Sequence, residues 1–135
     1  MGPVDVVLTV RDTGEVQAAS PEAPRDLDVK LSPPGTAGTG TNPEQLFAAG
    51  YGACFDSALR FVARSQKITV NESKIETTIK LFAKPEGGFQ LGAHLQVSLP
   101  GLDHTVAQGL VDAAHRVCPY SNATRGNIEV QISLT

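Results

Sequence analysis

The stretch from Thr41 to Arg64 constrains the fold more than any other part of the chain. It follows Ser32 to Asn42, SPPGTAGTGTN, whose prolines and glycines exclude a helix or a central strand and demand a surface connection. Thr41 or Asn42 can cap a helix there, Pro43 suits its first turn, and Glu44 sets negative charge at the positive end of its dipole. The apolar pattern then predicts a helix to about Arg64. Phe47, Gly50, Tyr51, Cys54, Ala58, Phe61 and Val62 recur at three- and four-residue spacing, which puts Cys54 in the middle of an apolar stripe. Ala48, Ala49, Gly50, Gly52 and Ala53 are small enough for another backbone to pack closely, so this helix reads as central.

The flanking segments supply strands. Val4 to Val10 and Leu27 to Leu31 alternate apolar and polar residues and read as strands with one wet face, with a polar loop between them. Lys74 to Lys84 and Phe89 to Leu99 alternate on either side of Pro85-Glu86-Gly87-Gly88, a hairpin signal. A second helix opens near Asp103 and closes at Pro119, with Val106, Leu110, Ala113, Ala114 and Val117 facing inward. Asn127 to Leu134 is a last strand. The order of three short β segments, helix, hairpin, helix and strand is an α+β pattern in which sheets cover buried helices. With no repeat and no linker, residues 1–135 read as a single domain.

Charge narrows the function. The net charge is -3, and Lys and Arg are scattered, so no basic stripe exists to displace counterions from a phosphate backbone and no nucleic-acid partner is expected. The opening MGPVDVVLTV carries an acidic residue and passes directly into alternation, which is not a secretory signal. The apolar stretch from Leu46 to Phe55 is broken by glycine and too short to cross a bilayer, so a cytoplasmic location without membrane insertion is expected.

The two cysteines are then either unrelated buried thiols or a redox pair, since a reducing compartment disfavours a permanent staple. A cysteine on an apolar helix face is most simply a small hydrophobe. Cys118, in the last turn of the second helix, meets the negative end of the dipole, which disfavours a thiolate and suits it to partner another thiol. His94, His104 and His115 lack ligand spacing and no CxxC occurs, so neither a metal nor a bound cofactor is expected. A buried thiol reacts only beside a fixed positive charge. Arg11 follows the first strand and Arg25 lies in a Pro-flanked loop, whereas Arg60 falls nearly opposite Cys54 on their common helix. Glu44, nearly three turns before Cys54, shares roughly its face; it could orient an arginine, or simply favour the dipole.

Two segments go further. Gly40-Thr41-Asn42-Pro43-Glu44-Gln45-Leu46-Phe47-Ala48-Ala49-Gly50-Tyr51-Gly52-Ala53-Cys54-Phe55 and Ala114-His115-Arg116-Val117-Cys118-Pro119-Tyr120-Ser121-Asn122-Ala123-Thr124-Arg125-Gly126-Asn127 closely resemble the signatures of the organic hydroperoxide resistance proteins of the OsmC/Ohr superfamily. The resemblance implies antiparallel sheets wrapped around two central helices in an intertwined homodimer, with active sites at the interface. It makes Cys54 the peroxidatic thiol, Cys118 the resolving thiol, and Glu44 the residue that holds an arginine over the sulfur. That arginine usually sits in a Gly-Gly-Arg-Asp-Gly context. Here the corresponding stretch, Val10-Arg11-Asp12-Thr13-Gly14, lacks the paired glycines and carries an extra residue, so Arg11 is the best match and Arg25 the alternative.

The implied activity is a cysteine-based peroxidase that reduces alkyl and fatty-acid hydroperoxides to alcohols through a Cys54 sulfenic acid and a Cys54-Cys118 disulfide. The implied electron donor is dihydrolipoamide or a lipoyl-bearing protein. Phe47, Tyr51, Phe55 and Phe61, with Leu46 and Val62, are candidates to line an alkyl pocket, at roughly 0.8 kcal/mol per buried methylene, although some of them belong to the core. The rival readings are a non-catalytic redox sensor or ligand-binding module using the same pair, and a dimeric scaffold with two structural thiols.

Overall fold

Asn42 starts the long helix. Its Oδ1 accepts the Gln45 backbone N–H at 2.9 Å while Gln45 Oε1 accepts the Asn42 N–H at 3.2 Å, a reciprocal cap that satisfies two donors a first turn leaves free. Thr41, the alternative cap, is drawn instead into main-chain pairing: its N–H donates to the Lys30 carbonyl and its own carbonyl accepts from Ser32 N–H, both at 2.7 Å. The helix, α1, runs Pro43–Ser65, one residue beyond the expected end. The computed structural model describes residues 7–10, 15–19, 27–32, 38 and 40–135.

The chain divides into two compact units, Met1–Leu46 and Phe47–Thr135. In the first, β1 (Val7–Val10), β2 (Glu15–Ala19) and β3 (Leu27–Lys30) form an antiparallel sheet in that order, with Val16 opposite both Val10 and Val29. The central strand β2 lies in the stretch expected to be a polar loop. Its alternation is short, with Val16 its one bulky apolar residue, and its pairing is supplied by strands on both sides, which is tertiary information that a five-residue window does not carry.

In the second unit, β4 (Lys74–Ala83) and β5 (Phe89–Ser98) form the expected hairpin, with Ile75 opposite Val97 and Ile79 opposite Ala93. Gly87 and Gly88 both take positive φ in the turn, where a Cβ would be strained. The chain then passes through α2 (His104–Val117) and a short α3 (Pro119–Thr124) to β6 (Glu129–Leu134). This strand runs parallel to β5, so the second sheet, ordered β4-β5-β6, is mixed where an antiparallel one was expected. A helical crossover is what parallel neighbours require.

The core explains how α1 is rotated. One face of β5 buries Ala93, Leu95 and Val97, followed by Leu99, against Tyr51, Phe55, Ala58 and Leu59 of α1 and Ala107, Val111 and Ala114 of α2. Val62 and Ala63 continue the buried face of α1 against Leu110 and Ala113. Phe61 is therefore turned outward, and Cys54 lies on the flank of the stripe, partly buried, rather than in its middle. On α2 Leu110, Ala113 and Ala114 face inward as expected and are joined by Ala107 and Val111, while Val106 and Val117 are exposed. Each residue turns a helix by about 100°, so Ala107, Leu110, Val111, Ala113 and Ala114 share one buried face, and Val106 and Val117 fall at its edges. No helix among the described residues is long and apolar enough to cross a membrane.

Candidate active site

The two thiols, 64 positions apart in sequence, meet. Cys118 Sγ lies 3.3 Å from Cys54 Sγ, within hydrogen-bonding reach for two thiols, and both cysteines are free. Cys54 is carried by the middle of α1. Cys118 sits where two helices join: its N–H donates to the Ala114 carbonyl to close α2, and its carbonyl accepts from Asn122 N–H as α3 begins. Pro119, which closes α2, also opens α3, because it has the φ that a first turn needs. Cys118 therefore feels more than the negative end of α2, since it also caps the positive end of α3. Its side chain is wholly buried.

Burial pushes the Cys54 thiol above its ordinary value; the Tyr120 main-chain N–H works against that displacement, and Cys118 adds to it. An unaided Cys54 is therefore a poor thiolate at neutral pH.

The residues around Cys118 form a chain of hydroxyls. Tyr51 Oη lies 2.8 Å from Ser121 Oγ and 3.3 Å from Thr124 Oγ1, Ser121 Oγ lies 2.8 Å from His115 Nδ1, and Thr124 Oγ1 donates to the Tyr120 carbonyl at 2.9 Å. Sequence reasoning gives Tyr120, Ser121, Thr124 and His115 no role at the site, although all four stand in the second family-like segment. The Tyr120 ring stacks on Phe47 at 6.1 Å between centroids and tilts against Tyr51 at 5.8 Å. Gly50 makes room for it, since a Cβ there would stand 3.1 Å from Tyr120 Oη.

His115 gives a pH signature. Burial, helped by the Arg125 charge and opposed by Asp112, holds it below the ordinary imidazole value of 6.5. The unfolded chain then takes up the proton more readily than the folded one. The contribution of neutral His115 to stability is complete above the unfolded value and is lost as pH falls through the lower folded value. Replacing His115 by Gln should flatten the fall in Tm between about pH 7 and 5; parallel losses in both proteins would assign that fall to other groups.

The remaining expected site residues separate. Phe47 and Tyr51 stand with Tyr120, Phe55 is fully enclosed in the core, and Phe61 is 58% exposed. Arg60 is engaged elsewhere, its Nε donating to Asp56 and its Nη2 to Ser73 Oγ. Glu44 lies in the first turn of α1, and its Oε2 is withdrawn from solvent without a hydrogen-bond partner among the described residues. Arg11 and Arg25 lie outside the described residues. No cluster of three or more His, Cys, Asp or Glu able to hold a metal occurs among the described residues. An open groove of about 390 Å³, lined by Ala48, Ala49, Gly52, Ala53, Asp56 and Thr77 among others, runs along α1 without including Cys54.

Residues 35–133 match the family model described as OsmC-like protein. The chain belongs to the OsmC-like family. Within it, the chain falls in the organic hydroperoxide resistance branch. It is 46% identical over 127 residues to the organic hydroperoxide resistance protein of Xanthomonas axonopodis pv. citri, covering 90% of this chain and 89% of the relative. It is 54% identical over 97 residues to the organic hydroperoxide resistance protein OhrB of Bacillus subtilis, covering 71% of each. The crystal structure of that OhrB superposes with a TM-score of 0.82 at 44% identity, covering 97% of this chain and 98% of the other. This OsmC-like chain therefore has the fold of the branch that its two cysteine motifs resemble.

Proposed function

We propose that this protein is a thiol-dependent peroxidase that reduces organic hydroperoxides to alcohols. The observation that carries the reading is the meeting of Cys54 and Cys118 at 3.3 Å, one thiol partly accessible and the other buried at a helix junction. In the first step the Cys54 thiolate attacks the O–O bond; the sulfur gains an OH, and the alkoxide takes a proton and leaves as the alcohol. In the second, Cys118 sulfur displaces that OH, giving a Cys54-Cys118 disulfide and water. An external dithiol, dihydrolipoamide or a lipoyl-bearing protein, then reopens the bond by exchange and leaves as its own disulfide.

An arginine held by Glu44 would keep Cys54 ionised and donate to the peroxide oxygens. Two features support this: the thiol is otherwise pushed toward its neutral form, and the buried Glu44 oxygen lacks a partner among the described residues. Arg11 is the candidate and Arg25 the alternative. Phe47 and Tyr120 beside the cysteine pair offer apolar surface for the alkyl chain. The active form is a homodimer, for which the small-residue groove along α1 is a surface where a second copy could pack.

Steady-state turnover tests the reading. With dihydrolipoamide present, the protein should consume many equivalents of cumene or fatty-acid hydroperoxide, faster than hydrogen peroxide and faster than with a monothiol donor. Consumption that stops at one equivalent would instead mark a redox sensor.

A further inference from the structure

The hydroxyl chain behind Cys118 has a direction. A carbonyl only accepts, so Thr124 must spend its one proton on the main chain, at the Tyr120 carbonyl 2.9 Å away and the Ser121 carbonyl 3.3 Å away. Its contact with Tyr51 is then donated by the tyrosine. Tyr51 in turn accepts from Ser121, and Ser121, its proton used, accepts from His115 Nδ1–H. The chain reads His115 to Ser121 to Tyr51 to Thr124 to the main chain of α3, and every hydroxyl in it has both a donor and an acceptor.

Its placement brackets the sulfur pair. Tyr51 is three residues before Cys54 on α1, His115 three before Cys118 on α2, and Ser121 three after Cys118 on α3. Tyr51 and Ser121 are fully buried, so water cannot replace a missing partner there. Apolar packing also holds the joint between α2 and α3 to α1, with Cys118 and Ala114 against Tyr51 and Phe55 and the Tyr120 ring stacked on Phe47 over Gly50, but among the described residues only the hydroxyl chain adds directional bonds behind Cys118.

We propose that Ser121 and Thr124, through Tyr51 and His115, are positioning residues for the resolving step, holding the Cys118 joint against the helix that carries Cys54. Neither touches a sulfur or the substrate. The closing of the disulfide requires the two sulfurs to approach from contact to bonding distance, about 2.05 Å. A joint fixed on both sides of Cys118 keeps that approach short and its encounter frequent. The first step, attack of Cys54 on the hydroperoxide, needs no movement of the joint.

The inference rests on the peroxidase reading, and the experiment separates the two. Single-turnover kinetics with an organic hydroperoxide would follow sulfenic acid formation, by a sulfenic-acid probe, and disulfide closure, by loss of free thiol, in the wild type, in Ser121→Ala and in the shape-preserving Thr124→Val. Sulfenic acid should form within about twofold of the wild-type rate in both variants, while closure slows by about fivefold to tenfold, as for a lost buried hydrogen bond. The double variant should close no more slowly than the worse single one, since one chain is broken either way. Closure at the wild-type rate in both variants, or equal slowing of both steps, overturns the positioning role. Absence of sulfenic acid in the wild type would instead overturn the peroxidase reading. Equilibration of each variant with oxidised and reduced dithiothreitol reports closure without any hydroperoxide. There the disulfide should be disfavoured by a similar factor, and an unchanged equilibrium together with unchanged closure kinetics removes the role altogether.

Discussion

Replacing Cys54 by Ser is expected to bring organic hydroperoxide consumption down to the uncatalysed rate, a loss on the order of 10⁶-fold if the sulfur is the nucleophile. A serine hydroxyl is not ionised at neutral pH, and no other cysteine can take its place. Cys118 is wholly buried and stands behind Cys54, so it meets the peroxide only through its partner. Cys118→Ser should behave differently. It should consume about one equivalent per chain rapidly and then up to about two more slowly as Cys54 is over-oxidised, because the sulfenic acid has lost the thiol 3.3 Å away that would capture it. Mass spectrometry of the hydroperoxide-treated variant should show Cys54 advancing to sulfinic and sulfonic acid, which the wild type avoids by closing its disulfide. A Cys54→Ser protein with full activity would end the proposal, and a Cys118→Ser protein with undiminished turnover would remove the resolving role alone.

What can be read from the sequence is what a local pattern encodes. The capping residues Thr41 and Asn42 with Pro43 locate the start of α1 to within a residue, and the alternation around Gly87 and Gly88 locates the β4–β5 hairpin about as closely. What escapes is whatever depends on partners distant in sequence. Strand β2 has too few apolar residues to announce itself, and exists because β1 and β3 pair with it. The parallel direction of β6 is set by the α2–α3 crossover, about which its own six residues say nothing. The inward faces of α1 and α2 are read correctly at Tyr51, Ala58, Val62, Leu110, Ala113 and Ala114 but too widely at Phe61, Val106 and Val117, because a spacing rule treats these as inward by type although they lie at the edges of the buried faces. The same limit applies at the site. Cys54 and Cys118 are legible as a pair only through the motifs around them, and the hydroxyls of Ser121 and Thr124 have no signal of their own, since their importance lies in Tyr51, 70 and 73 positions away.

Glu44→Gln should raise the pH at which Cys54 becomes reactive and cut the rate with organic hydroperoxide at neutral pH by about 10-fold to 100-fold. A carboxylate oxygen shielded from water is costly unless paired, and Glu44 Oε2 has no partner among the described residues, so it calls for a cation, and a guanidinium is the one that stays charged in such a place. A fixed charge near 4 Å from a sulfur is worth about 4 kcal/mol at an effective dielectric of 20, and it acts against the burial that pushes Cys54 upward. The sign follows. With the cation displaced, the thiolate is disfavoured, and its fraction at neutral pH falls about tenfold for every 1.4 kcal/mol of charge stabilisation lost. The deficit closes again in alkaline solution, where both proteins are fully ionised. The rate of Cys54 alkylation by iodoacetamide against pH, measured in a Cys118→Ser background, gives this directly. Arg11→Ala should reproduce the displaced profile, and combining it with Glu44→Gln should add little, because the two residues act as one unit. If Arg25→Ala moves the profile and Arg11→Ala does not, the guanidinium comes from the second loop. If neither moves it, Cys54 is activated by something other than an arginine held by Glu44.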